Sequence, residues 1–163
     1  MDHGSTPPPP PDPSGAGAPA STGGLGARFA ARLLDALIVG LAASVVLGLL
    51  GLPAPTFGLG GLGAWTHSAV TALAWFGYYV YSESTSGATL GKRLLKLRVV
   101  GEDGQPASSA AAAKRNVWIL FGLVPWIGGL AQLVTVIVIA VTISSSAANR
   151  GKHDEIAGTI VTA

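Results

Sequence analysis

The sequence predicts an all-α integral membrane protein with two transmembrane helices, a broken third helical segment and a small cytoplasmic β cap. Three observations predict it. Hydrophobic residues make up 49% of the 163 and charged residues only 11%, against about 25% charged in ordinary soluble domains. Mean hydropathy is +0.52, too high for a surface that must be wetted on all sides. Apolar runs of roughly 20 residues recur, long enough at about 1.5 Å per residue to cross a hydrocarbon layer of about 30 Å. There is no cysteine, which excludes disulfide scaffolds, thiolate-held metals and thiol catalysis. His3, His67 and His153 are too scattered to suggest a metal site.

Residues 1–24 hold seven of the eleven prolines and no large apolar side chain. They cannot bury enough surface to offset chain entropy, so a disordered, Pro-rich cytoplasmic tail is expected. Pro7–Pro11 favours polyproline II. With no basic n-region or apolar h-region, the tail does not read as a signal peptide. The membrane domain is expected over 25–163. Its first span is expected at about 33–52, LLDALIVGLAASVVLGLLGL, starting in the interface near Ala27. Ala36, Gly40, Ser44 and Gly48 recur every four residues, a small-residue stripe suited to close helix packing. The Pro/Gly-rich residues 53–63 form a turn. Gly58, Gly60 and Gly63 match a dinucleotide-binding spacing, but they sit between apolar segments rather than between a strand and a helix.

The second span is expected at about 64–82, with Trp65 at one end and Tyr78, Tyr79 and Tyr81 at the other, as in interfacial aromatic belts. Glu83 to Arg115 is the polar centre. GATLGKR resembles a phosphate-binding loop but has the wrong spacing, and Arg93 stands where a Ser/Thr would bind magnesium. Residues 95–100 alternate apolar and basic, a half-buried strand ended by Glu102-Asp103-Gly104. A second strand over 158–162 is expected to pair with it. Ser108 and Ser109 cap an Ala-rich helix start. The third segment, about 116–146, is interrupted at Pro125, Gly128 and Gly129, and reads as helices over about 108–123 and 130–146. It forms either a hairpin or a single kinked span.

Basic residues mark the cytoplasmic side. Arg28 and Arg32 precede the first span, and six more basic residues lie between Glu83 and Arg115. The N-terminus and the polar centre are therefore expected in the cytoplasm. A hairpin at 116–146 brings Arg150, Lys152 and the C-terminus back to that side. A bacterial-type cell membrane is the expected location.

Arg28, Arg32 and Asp35 share one helix face. A carboxylate inside a span is costly unless it meets partners or water. Asp35 therefore reads either as an ion or proton site gated by Arg28 or Arg115, or as half of a structural ion pair. Lys92, Arg93, Lys96 and Arg98 form a basic cluster that would attract anionic lipid. No catalytic set and no cofactor is evident, and neither an enzyme nor a nucleic-acid binder is expected.

RFAARLLDALI, then GATLGKRLLKLRVVGEDGQPAS followed by Arg115, then KHDEIAGTIV resemble in order the motifs of the RDD family of small membrane proteins. Arg28, Asp35 and Asp154 stand at the residues that name the family, with Arg32, Gly91, Lys92, Arg115 and Thr159 in supporting positions. One departure is Ala88, where the family often has Gln. The resemblance implies a polytopic membrane domain for which transport has been suspected. Two functions follow as expectations: oligomeric transport of ions or small solutes through Asp35, or a non-catalytic adaptor that holds membrane partners through its small-residue stripe and cytoplasmic cap.

Overall fold

The computed structural model describes residues 21–51, 62–124 and 127–163. The expected tail before residue 21, most of the 53–63 turn and Pro125 lie outside the described residues.

Helix α1 (Leu25–Leu49) is 25 residues long and carries its three charges, Arg28, Arg32 and Asp35, in its first three turns. The next helix, α2 (Leu62–Ser86), has the same length. It stops at Gly87, whose φ of +68° ends the helix and whose N–H donates to the Glu83 carbonyl. Thr89 caps the short α3 (Leu90–Leu94), followed by β1 (Arg98–Gly101).

The strand begins later than its alternation suggests. The amides of Leu95, Lys96 and Leu97 turn back onto the carbonyls of Gly91, Arg93 and Lys92. Lys96 adopts φ 58° to make that turn. These donors are spent on closing α3 and cannot join a ladder. The expected pairing does form: β1 runs antiparallel to β2 (Thr159–Thr162), with Arg98 opposite Thr162 and Gly101 opposite Thr159. On the far side of β2, Gly23 N–H donates to the Val161 carbonyl and Ala163 N–H to the Ser21 carbonyl. Residues 21–23 thus belong to the cap rather than to a disordered tail.

Val99, Val161 and Leu97 pack on Ala31 and Ala107 in the buried core. Ala31 of α1 and Ala107 let the sheet come close. Ser108 caps α4 (Ser109–Asn116) through the Ala111 N–H.

The third segment is a broken hairpin. From Asn116 the chain tightens into a 3-10 segment, Val117–Leu123, and returns as α5 (Gly128–Ser145). At about 2.0 Å per residue the 3-10 winding covers about 14 Å. That is about half the roughly 27 Å of α5. The arms touch closely at Gly128, where a Cβ would stand 2.1 Å from the Phe121 carbonyl oxygen. Two side chains serve backbone acceptors of the 3-10 segment: Trp65 donates to the Leu123 carbonyl and Gln132 to the Ile119 carbonyl. Trp65, expected in an aromatic belt, holds the turn of the hairpin.

After α5, α6 (Lys152–Ala157) packs back on α4, and Gly158 at φ 62° leads into β2. Both arms of the hairpin therefore start and finish beside the sheet. Among the described residues, α1 and α5 are the two helices long and apolar enough to cross a membrane. The Ser, Thr, His and Tyr content of α2 leaves it outside that pair despite its length.

Candidate functional site

Five charged side chains, one from each element, meet where α1, α2, α3, α4 and α6 converge. Asp154 stands at the third position of α6, and its Oδ2 accepts from the Gly151 N–H that opens that helix. The same carboxylate takes Arg28 Nη1 at 2.5 Å on Oδ2 and Arg115 Nη1 on Oδ1. Arg115 Nε lies 3.5 Å from Glu83 Oε2, a charge contact without hydrogen-bond geometry. Glu83 Oε1 then receives Lys92 Nζ, and its Oε2 accepts from Asn116 Nδ2 at 2.8 Å. The result is an alternating row, Arg28–Asp154–Arg115–Glu83–Lys92, with each member at most 6% exposed. Arg28 also donates to the Gly23 and Asn149 carbonyls, and Arg115 to Thr159 Oγ1 at 3.3 Å. The links through Asp154 join elements distant in sequence, whereas Glu83–Lys92 closes the turn between consecutive helices.

Burial lowers the Lys92 ammonium to about 8, with Glu83 opposing the drop. Arg115 is lowered to about 10 by the same desolvation. His153 sits beside the row, its Nε2 3.4 Å from Asp154 Oδ1. Burial first, then the positive charges of Arg115, Arg32, Arg28 and Lys92, push it down to about 2. It is therefore a neutral imidazole at physiological pH.

Asp35 occupies a separate site. It is fully buried, and the expected pairing with Arg28, Arg32 or Arg115 does not occur. Oδ1 accepts from Tyr78 Oη at 2.8 Å and Gly91 N–H at 2.8 Å; Oδ2 accepts from Thr89 Oγ1 at 2.7 Å. Tyr78 Oη in turn accepts from Leu90 N–H. Asp35 thus binds the start of α3 with neutral donors, and Arg28 is drawn away to Asp154. Contact is close because of Gly91, where any Cβ would stand 2.0 Å from the Ala31 carbonyl oxygen. Arg32 finds aromatic faces instead of a carboxylate, its guanidinium carbon 4.7 Å from the Tyr79 ring centroid and 4.9 Å from that of Trp118.

Arg28, Asp154, Arg115, Lys92 and Thr159 thus belong to the ion-pair row, and Asp35 and Gly91 to the neighbouring hydrogen-bonded site. The chain matches the RDD family over residues 22–158.

The chain belongs to the RDD family.

No curated protein and no solved structure matches this RDD chain significantly. The family's Arg and second Asp form one ion pair, while its first Asp stands apart in a hydrogen-bonded site. Lys92 leaves the expected lipid-binding cluster, because a side chain 2% exposed and committed to Glu83 cannot meet a headgroup. Arg93, Lys96 and Arg98 remain exposed. Of the small-residue stripe, a Cβ on Gly40 would meet Trp75 at 3.6 Å, whereas Ala36, Ser44 and Gly48 are exposed. Sequence reasoning passed over Glu83, Tyr78, Thr89, Asn116 and His153 as site residues. Glu83 carried a usable signal: an acid ending an otherwise uncharged helix, within reach of the basic residues that follow. Among the described residues no three His, Asp or Glu side chains gather to hold a metal.

Proposed function

We propose that this RDD protein is a non-catalytic integral membrane scaffold, with its polar centre and both chain ends on the cytoplasmic side. The observation that carries the reading is the internal commitment of its buried carboxylates. Asp35, Glu83 and Asp154 are each occupied by donors from the same chain, leaving none presented to a pathway. Outward from that centre, only 11% of the most apolar stretch of α1 and of α5 is buried within the chain. Those faces suit lipid and the helices of membrane partners, including further copies of the chain. The positive-inside bias of Arg28, Arg32 and the 92–115 residues supports the sidedness.

A second reading is oligomeric transport of an ion or small solute through Asp35. One observation favours it: none of the ion pairs among the described residues includes Asp35. Its oxygens are met by two hydroxyls and one amide rather than by a cation. Proteoliposome flux separates the readings. A scaffold gives no cation or proton flux that depends on Asp35. Flux present in the wild type and lost in Asp35→Asn, with the variant reconstituted equally well, establishes the transporter.

A further inference from the structure

Helix α3 has two unlike faces. Gly91 and Lys92 point inward, Gly91 against Ala31 and Lys92 onto Glu83. Leu90, Arg93 and Leu94, at i, i+3 and i+4, share the opposite face. Leu90 is 43% and Leu94 62% exposed, and Leu95 beyond them is also exposed. The same short stretch presents Arg93, Lys96 and Arg98 to the outside. Lys96 is turned out by its left-handed backbone; Arg98 alternates with the buried Val99 on β1. No acidic side chain pairs with these three among the ion pairs of the described residues.

The depth of α3 is fixed by its packing. Gly91 lies against Ala31 and binds Asp35, just where the apolar run of α1 begins at Leu33. Leucines beside cations at that level match an element lying in the headgroup–acyl boundary.

We propose that the α3–β1 corner docks on anionic phospholipid, with Leu90, Leu94 and Leu95 entering the acyl boundary and Arg93, Lys96 and Arg98 holding phosphate groups. The occupant is set by charge complementarity and by continuity with the apolar start of α1. This inference rests on the membrane reading above, which the experiment tests separately.

The chain lacks cysteine, so nitroxides placed by Leu94→Cys and by Leu133→Cys on α5 report two depths in nanodiscs. The lipids are phosphatidylcholine alone or mixed with phosphatidylglycerol. With the anionic lipid, the Leu94 label is expected about 5–10 Å below the surface, accessible to oxygen and shielded from an aqueous quencher. Spin-labelled phosphatidylglycerol should associate more strongly than its phosphatidylcholine analogue. That preference should fall roughly fivefold for each charge lost in the series Arg93→Gln, Lys96→Gln, Arg98→Gln. High salt should weaken it in the unmodified chain, which covers the case of a variant that does not fold. A water-exposed Leu94 label with an immersed Leu133 label overturns the docking alone; both labels in water overturn the membrane reading with it. A Leu94 label shielded from both quenchers means a protein covers the corner. A lipid preference indifferent to charge and salt removes the phosphate contacts. Either result overturns the proposal.

Discussion

Arg28 and Asp154 lie 126 residues apart in the chain and 2.5 Å apart in space. Because Asp154 also receives Arg115, one carboxylate joins α1, α4 and α6. Asp154→Asn leaves the buried Arg28 guanidinium without a counter-charge and Arg115 with Glu83 alone. Loss of one partner from a buried pair costs about 3–5 kcal/mol. The expected outcome is a sharply lower melting temperature in detergent and low abundance. Asp154→Asn melting with the wild type would show the pair to be energetically idle.

Asp35 predicts a milder pattern. Asn keeps one acceptor, and the Thr89 hydroxyl can turn to accept from the new amide. Asp35→Asn is expected to cost about 1–2 kcal/mol, and Asp35→Leu about 3 kcal/mol because it strands the Gly91 N–H and two hydroxyls. Denaturation of both variants checks the order; Leu tolerated better than Asn contradicts the hydrogen-bonded site.

Gly91→Ala should fail for a purely steric reason. Its new Cβ would stand 2.0 Å from the Ala31 carbonyl oxygen, and backbone on both sides cannot yield cheaply. A loss of about 3 kcal/mol or more is expected. Gly26→Ala, with nothing within 4 Å of its Cβ, is the control. Equal yields of the two variants would dispose of the close α1–α3 contact.

His153 predicts a pH dependence with a definite sign. Its folded value, about 2, lies below the ordinary 6.5. Between these values the unfolded chain binds a proton that the folded chain refuses, so stability falls as pH falls. The slope approaches about 1.4 kcal/mol per pH unit, or roughly 2 kcal/mol between pH 7 and pH 5. Asp154 would favour the proton, but burial and four nearby cations outweigh it. Melting curves of the wild type should drop over this range, and those of His153→Gln should drop less. Parallel curves would remove His153 as the cause.

The hairpin fixes the two ends of the domain relative to the polar centre. A Cys appended after Ala163 and a Cys replacing Arg93 should react with an impermeant reagent from the same side of sealed vesicles. Labelling from opposite sides would replace the hairpin with a straight third span.

Much of the architecture was legible in apolar run length and local punctuation. The break in the third segment, the Ser108 cap, the β1–β2 pairing and the Glu102–Gly104 turn all follow from local chemistry. The site was legible only as a set of residue types. The i, i+7 spacing of Arg28 and Asp35 suggested a pair, but a shared helix face does not decide between a neighbour and a distant competitor. Asp154 offers Arg28 a carboxylate, while Thr89, Tyr78 and Gly91 offer Asp35 neutral donors; only folding sets those choices. Lys92 looked like one of four equivalent surface cations. The α3 turn that aims it inward at Glu83 depends on the backbone approach of Gly91 to Ala31.

The central strand of the cap carries a consequence for synthesis. β2 lies between residues 21–23 and β1, yet it is translated after both. At roughly 5–20 residues per second, about 6–25 s separate the emergence of Arg28 from that of Asp154. Through that interval α1 waits with its cation unanswered, and β1 waits with an open edge. A short stretch translated well after both supplies the missing carboxylate and the missing strand. Nascent chains halted before Asp154 should therefore hold their apolar helices but lack a closed cap, and would meet cellular quality control in that unfinished form.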